Sequence, residues 1–262
     1  MVASGNDFVV VRLSAGAGYL KRLARKICDR KYGIGADGML VLGKSKRADI
    51  RMRIFNADGS EAQMCGNGAR AAALYASRQS STLLRRLDME TKAGVIEARI
   101  NAGNIKIKLT EPGNIRLNLP VKVNNRILRV NFINTGVPHA VIFVEGLRKL
   151  DVKSLGRQIR FHDRFKPDGT NVDFVETLKS DYIKVRTYER GVEDETLACG
   201  TGSVASALIT ASLLVKAGKG IMRVMTASGQ ILKVYFKKTT AGFEDVWLEG
   251  KAEKVCKGEY YV

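Results

Sequence analysis

Two cysteines in this chain of 262 residues, Cys65 and Cys199, each open a Cys-Gly-x-Gly turn that runs straight into an apolar, small-residue stretch. The first turn reads Met64-Cys65-Gly66-Asn67-Gly68-Ala69-Arg70 and the second Ala198-Cys199-Gly200-Thr201-Gly202-Ser203. A helix that starts at such a turn presents unpaired N–H groups and the positive end of its dipole, so it attracts carboxylates and lowers the pKa of a cysteine placed there. Glycines beside the thiol let backbone approach an anion where a Cβ would obstruct it. Two such turns with one carboxylate between two opposed thiols suit the inversion of an α-carbon. One cysteine, as thiolate, removes the α-proton while the other, as thiol, protonates the opposite face, each transfer contributing roughly 10²–10⁴-fold in rate. The two must then differ in protonation state and titrate as a coupled pair. A lone Cys-Gly-x-Gly is more often a packing feature, and it is the duplication that favours chemistry. Neither copy has the lysine-Ser/Thr ending of a phosphate-binding loop or the glycine spacing of a dinucleotide fingerprint.

The cysteine turns belong to a longer internal repeat. Ile50-Arg51-Met52-Arg53-Ile54-Phe55 pairs with Ile183-Lys184-Val185-Arg186-Thr187-Tyr188, and both lead through acidic residues into the cysteine turn. Gly5-Asn6-Asp7-Phe8 resembles Gly136-Val137-Pro138-His139, and Gly35-Ala36-Asp37-Gly38 resembles Gly169-Thr170-Asn171-Val172. Four blocks in one order, spaced by 131 to 134 residues, predict two homologous domains, 1–115 (with 251–262 returning to it) and 116–250. Strands are expected at 8–13, 50–55, 95–100, 105–109, 128–133, 141–144, 172–175, 183–188, 231–236 and 246–248. Gly94, Gly103-Asn104 and Ser228-Gly229 mark hairpin turns. The segments after the cysteines are apolar on nearly every face, which predicts central helices. The fold class is therefore α+β: two pseudo-symmetric domains, each a barrel-like sheet around one helix, with the active site in the cleft between them.

Composition narrows the function classes. The hydrophobic fraction of 45% fits a core-forming chain, and the longest apolar runs are strand-sized, far short of the roughly 20 residues that span a bilayer. With no export signal at the N-terminus and four scattered cysteines, Cys28, Cys65, Cys199 and Cys256, a reducing cytoplasm is the expected location. The formal net charge of +18 raises the question of nucleic acid, but the basic residues gather only modestly, at 21–26 and 148–166. The milder reading is a positive potential that draws in an anionic or zwitterionic small molecule, with no nucleic-acid or membrane partner.

Outside the turns, Cys28 and Cys256 read as structural, as does His162. His139 precedes a strand and lies opposite Asn6-Asp7 in the repeat, which favours a place in the site. Glu189-Arg190, ten residues before Cys199, matches Asn56, nine residues before Cys65, and a strand end there would line the site.

The motifs Gly5-Asn6-Asp7-Phe8, Phe55-Asn56-Ala57-Asp58-Gly59-Ser60-Glu61, Met64-Cys65-Gly66-Asn67-Gly68-Ala69-Arg70, Asn134-Thr135-Gly136-Val137-Pro138-His139, Gly169-Thr170-Asn171-Val172-Asp173-Phe174 and Tyr188-Glu189-Arg190 through Cys199-Gly200-Thr201-Gly202 run across the whole chain. In type and order they resemble the diaminopimelate epimerase family. The resemblance implies a cofactor-independent interconversion of LL- and meso-2,6-diaminoheptanedioate, serving lysine and cell-wall synthesis, in a protein that is commonly a homodimer. It implies that Cys65 and Cys199 are the acid/base pair and that backbone at Gly66-Asn67 and Gly200-Thr201 holds the reacting carboxylate. Asn6, Asn56, Asn171, Glu189 and Arg190 would then bind the ammonium and distal carboxylate groups, with His139 supporting the reacting centre and no metal required. Val137 stands where many members carry asparagine, and Gly38 where some carry glutamine. The family also has a short strand ahead of the Gly-Asn-Asp-Phe motif, where this chain has only Met1–Ser4, so that the first domain is expected to lack an edge strand.

Other readings place different demands on the sequence. Proline racemases share the two-cysteine logic but usually carry histidine where Asn67 stands, and their small substrate needs no distal polar set. The phenazine-biosynthesis isomerases do not fit a chain holding both cysteines. A basic binding protein on an inactivated scaffold has only the net charge in its favour.

Overall fold

The computed structural model describes residues 1–79 and 85–261. These form two compact units, residues 1–108 with 249–262 and residues 109–248. The first contains β1 (Val2–Ala3), β2 (Asn6–Arg12), α1 (Ala17–Cys28), β3 (Gly38–Gly43), β4 (Ile50–Asn56), β5 (Glu61–Ala62), α2 (Gly66–Gln79), β6 (Arg86–Thr91), β7 (Gly94–Asn101) and β8 (Asn104–Lys108). β2 and β3 are parallel, β3 and β4 antiparallel, β4 and β6 parallel, and β6–β7–β8 a meander closed by tight turns. Every one of these strands except β5 packs on α2. That is why α2 needs no polar face: Ala69, Ala71, Ala72, Ala73 and Leu74 are all buried.

Alternation along β3 separates two cores. Met39 and Val41 face α1, where Leu20, Leu23, Ala24 and Ile27 recur at helical spacing and close a cluster with Cys28 and Phe55. The basic run 21–26 is interleaved with this stripe, and its Lys21, Arg22, Arg25 and Lys26 form the solvated face of an amphipathic helix.

The second unit repeats the plan with β9 (Gly113–Val123), β10 (Arg126–Asn134), β11 (Pro138–Phe143), α3 (Val152–Arg160), β12 (Asn171–Lys179), β13 (Tyr182–Glu189), β14 (Asp194–Thr196), α4 (Gly200–Leu214), β15 (Gly218–Met225), β16 (Ile231–Lys238) and the first six residues of β17 (Phe243–Lys251). β11 and β12 are parallel as β2 and β3 are, β13 pairs with β12 and β14 as β4 does with β3 and β5, and β13 and β15 are parallel as β4 and β6 are. β10, β11, β12, β13, β15 and β16 surround α4. On the outside, Val152 and Ile159 of α3 bury against Val172, Phe174 and Tyr188. Two devices recur at matching positions. Gly5 (φ 90°) and Gly136 (φ 98°) turn the chain into the first parallel strand, and Arg53–Glu61 and Arg186–Glu195 are both two-pronged ion pairs.

The ten expected strands all coincide with observed ones, three of them (8–13, 105–109 and 141–144) overrunning the observed end by one residue. The first domain does not lack an edge strand. Val2–Ala3 forms a two-residue β1 on β2, where the nine-residue β10 pairs with β11 through Asn131, Phe132, Ile133 and Asn134. β3, β5, β6, β9, β14 and β15 are not among the expected strands. β6 alternates charged residues with Leu87 and Met89 and has one β-branched residue, and β9 exposes most of its length while holding Pro120. Among the described residues, no helix is long and apolar enough to cross a membrane.

Candidate active site

In the first unit Cys65 immediately precedes α2 and accepts a long hydrogen bond from the Gly68 N–H, at 3.5 Å to Sγ, while its carbonyl accepts from the Ala69 N–H. Asn67 is buried and donates from Nδ2 to Asn6 Oδ1 at 2.6 Å. Asn6 in turn donates to Asp37 Oδ2 at 2.9 Å, and Asp37 and Asp7 share Arg30. Gly66, Asn67 and Asn6 are thus assembled beside the thiol. Asn56 closes β4 at the same sheet end, paired with Gly38, which pairs with Phe8. It is exposed, and its side chain donates to Ser60 Oγ at 2.9 Å. At Gly38 a Cβ would stand 2.8 Å from the Phe55 carbonyl, so the strands leave no room there for a side chain.

In the second unit Cys199 is the N-cap of α4 and its Sγ accepts from the Gly202 N–H at 3.4 Å. Around it stands a chain of polar contacts. Asp173 Oδ2 lies 2.7 Å from His139 Nδ1, His139 Nε2 lies 3.0 Å from Thr201 Oγ1, and Thr201 Oγ1 lies 3.4 Å from Cys199 Sγ. Thr187 donates to the other oxygen of Asp173 at 2.7 Å, so the fully buried carboxylate is satisfied on both sides. Glu189 accepts from Thr196 Oγ1 at 3.0 Å, and burial raises its carboxyl pKa against the pull of that bond. Asn171 accepts from the Arg190 N–H and donates to the Pro138 carbonyl, which ties the Glu189-Arg190 strand end to the His139 strand. His139, Asn171, Glu189, Arg190, Cys199, Gly200 and Thr201 are therefore one connected set.

The expectation that a helix N-terminus lowers both cysteine pKa values fails at Cys199. Burial, followed by the negative charges of Glu189 and Asp173, pushes its thiol well above the ordinary cysteine range, and the hydrogen bonds from Thr201 and Gly202 do not offset this. Helix-end partial charges are about half an elementary charge, whereas two carboxylates and loss of water oppose the thiolate directly.

Cys28 packs in the α1 core, where burial raises its thiol to about 11, and His162 caps a short turn by accepting from the Arg164 N–H. Cys256 is exposed and serves no core. The structure adds Asp173 and Arg70, which the sequence reading placed inside motifs without a role. Each is a charged residue in an otherwise apolar or small-residue stretch, and that contrast was the available signal.

A family model for diaminopimelate epimerase matches residues 1–115 and 131–255. A diaminopimelate epimerase of Aquifex aeolicus is 42% identical over 97% of this chain and 94% of its own length, and one of Methanocella arvoryzae is 41% identical over 99% and 94%. A phenazine biosynthesis protein of Bacillus anthracis superposes with a TM-score of 0.72 at 19% identity, covering 96% of this chain and 92% of that one, a likeness of fold alone. With the family model spanning most of the chain and relatives above 40% identical across nearly all of it, the chain belongs to the diaminopimelate epimerase family.

Proposed function

We propose that this protein interconverts LL- and meso-2,6-diaminoheptanedioate by two-base proton transfer at one α-carbon, with Cys65 and Cys199 as the acid/base pair. The duplicated cysteine-capped helix start carries this reading: two thiols, each at a helix N-terminus, are what inversion without an electron-sink cofactor demands. Backbone N–H groups at Gly66-Asn67 and Gly200-Thr201 hold the reacting carboxylate and stabilise the charge that develops as the carbanion forms. Asn6, Asn56, Asn171, Glu189 and Arg190 bind the remaining ammonium and carboxylate groups. Asn6 and Asn171 each retain an amide hydrogen for this after their internal bonds. His139 acts through Thr201 on the Cys199 side.

Burial, with Glu189 and Asp173, raises the Cys199 thiol and so favours its protonated form. It therefore serves first as the acid, and it becomes the base when the reaction runs in reverse. A homodimeric enzyme working in the cytoplasm is part of the same proposal, with light scattering as the check on its size.

Chromatographic separation of isomers tests the assignment. Wild-type protein given LL-diaminopimelate should accumulate the meso form to near equilibrium, while Cys65→Ala and Cys199→Ala should each lose about 10²–10⁴-fold or more in rate. Near-normal turnover by either variant would refute the two-base mechanism.

A further inference from the structure

The first cysteine turn has a buried cation behind it that the second lacks. Arg70 is fully buried, and its hydrogen bonds tie the turn together: Nη1 donates to the Gly66 carbonyl at 3.3 Å, and Nη2 to Ser4 Oγ and Asn67 Oδ1, both at 2.7 Å. All three acceptors are neutral, and Nε has no hydrogen-bond partner among the described residues. A guanidinium held away from water without a carboxylate is unfavourable unless another negative charge stands near it. Burial accordingly pulls Arg70 down to about 10, and the opposing influence comes from Cys65.

The repeat sharpens the contrast. Val204 stands where Arg70 does, five residues beyond the cysteine, while His139 and Asp173 stand where the first unit has Phe8 and Leu40. Two near-identical turns thus have backing of opposite sign, a cation in one and a carboxylate in the other. The acidic side chains on the strands around α2 are matched elsewhere: Asp7, like Asp37, with Arg30, Glu61 with Arg53 and Lys92, Asp88 with Arg86, Glu90 with Arg47, and Glu97 with Arg86 and Arg99. On β8 the lysines alternate with the buried Ile105 and Ile107.

We propose that Arg70 is a positioning residue whose buried positive charge makes Cys65 the resting thiolate of the pair, while its hydrogen bonds hold Asn67, and through it Asn6, in the geometry of the site. The proposal rests on the two-thiol reading of the reaction. It adds the reason why duplicated turns hold different protonation states before substrate arrives, since a symmetric pair would share one proton without preference.

Alkylation of the reduced full-length protein by iodoacetamide across pH, resolved for each cysteine by mass spectrometry, tests this without substrate. In wild type the Cys65 midpoint should lie below about 8.5, the ordinary cysteine value, and below that of Cys199. Arg70→Met should raise the Cys65 midpoint by about one unit or more and leave Cys199 unmoved, and Arg70→Lys, which keeps the charge, should restore most of the shift. In turnover, Arg70→Met should lower kcat at neutral pH more than it raises KM, with activity partly recovered as pH rises. An unchanged Cys65 midpoint in Arg70→Met that remains folded by circular dichroism would overturn the proposal. Should that variant not fold, a wild-type Cys65 midpoint at or above that of Cys199, or a Lys variant titrating like an ordinary cysteine, would overturn it. Absence of epimerisation by wild-type protein would instead refute the functional reading and leave the alkylation result to stand on its own.

Discussion

Leu40 and Asp173 occupy the same place in the two units, each on the second parallel strand where it meets the glycine two residues into the cysteine-capped helix. A Cβ on Gly68 would touch the Leu40 Cδ2 methyl at 3.1 Å, whereas one on Gly202 would overlap the Asp173 carboxylate outright. The backbone plan is duplicated, and the chemistry beneath each thiol is not.

That difference predicts unequal tolerance of one substitution. Gly68→Ala meets the end of a flexible side chain and gains helix propensity, so it should change stability by less than about 1 kcal/mol. Gly202→Ala must displace a carboxylate held by His139 and Thr187, and should cost roughly 1–3 kcal/mol. Thermal denaturation of both variants decides the matter, and equal melting temperatures would contradict the packing described.

Glu189 and Asp173 oppose ionisation of Cys199, so removing either charge should make that thiol easier to ionise. Glu189→Gln and Asp173→Asn are each expected to lower the pH at which Cys199 alkylates and to leave Cys65 where it was. Asp173→Asn should also reduce turnover by about 10-fold or more, because an amide has one acceptor oxygen where the carboxylate serves His139 and Thr187 with one each. An unchanged alkylation profile in both variants would mean that burial alone sets the Cys199 state.

The Arg53–Glu61 pair gives a stability prediction with a definite sign. Hydrogen bonding to Arg53, joined by Lys92, lowers the Glu61 carboxyl to about 2 against burial, whereas in an unfolded chain it titrates near 4.3. A depressed folded value means that the stabilisation is fully present above about 4.3 and fades as pH falls towards 2. Glu61→Gln should therefore be destabilising at pH 7 in urea unfolding and nearly neutral at pH 2. An equal penalty at both pH values would show that the contact acts through shape and not charge.

Much of this was legible in the sequence because repetition is a strong signal. The two cysteine turns, the strand before each and the glycine that starts each parallel pair stand at nearly constant spacing, and periodicity two or a fully apolar helix follows directly from which faces are buried. β6 and β9 were not legible, since their charged and asparagine-rich faces point to water and few β-branched residues mark them. The protonation state of Cys199 was hidden for a different reason. It depends on burial, on Glu189 and on Asp173, 26 residues upstream, which the parallel pairing of β11 and β12 brings beneath the helix start, a proximity that no local pattern encodes.

The most direct test of the two-thiol account is to follow the reaction of LL-diaminopimelate in D₂O by NMR and mass spectrometry early in its time course. Because one thiol removes the proton and the other supplies its replacement, the meso product should carry solvent deuterium at the inverted α-carbon while the recovered LL substrate carries little. Deuterium entering recovered substrate as fast as it enters product would indicate a single base, and no exchange at all by folded, reduced protein would contradict the account altogether.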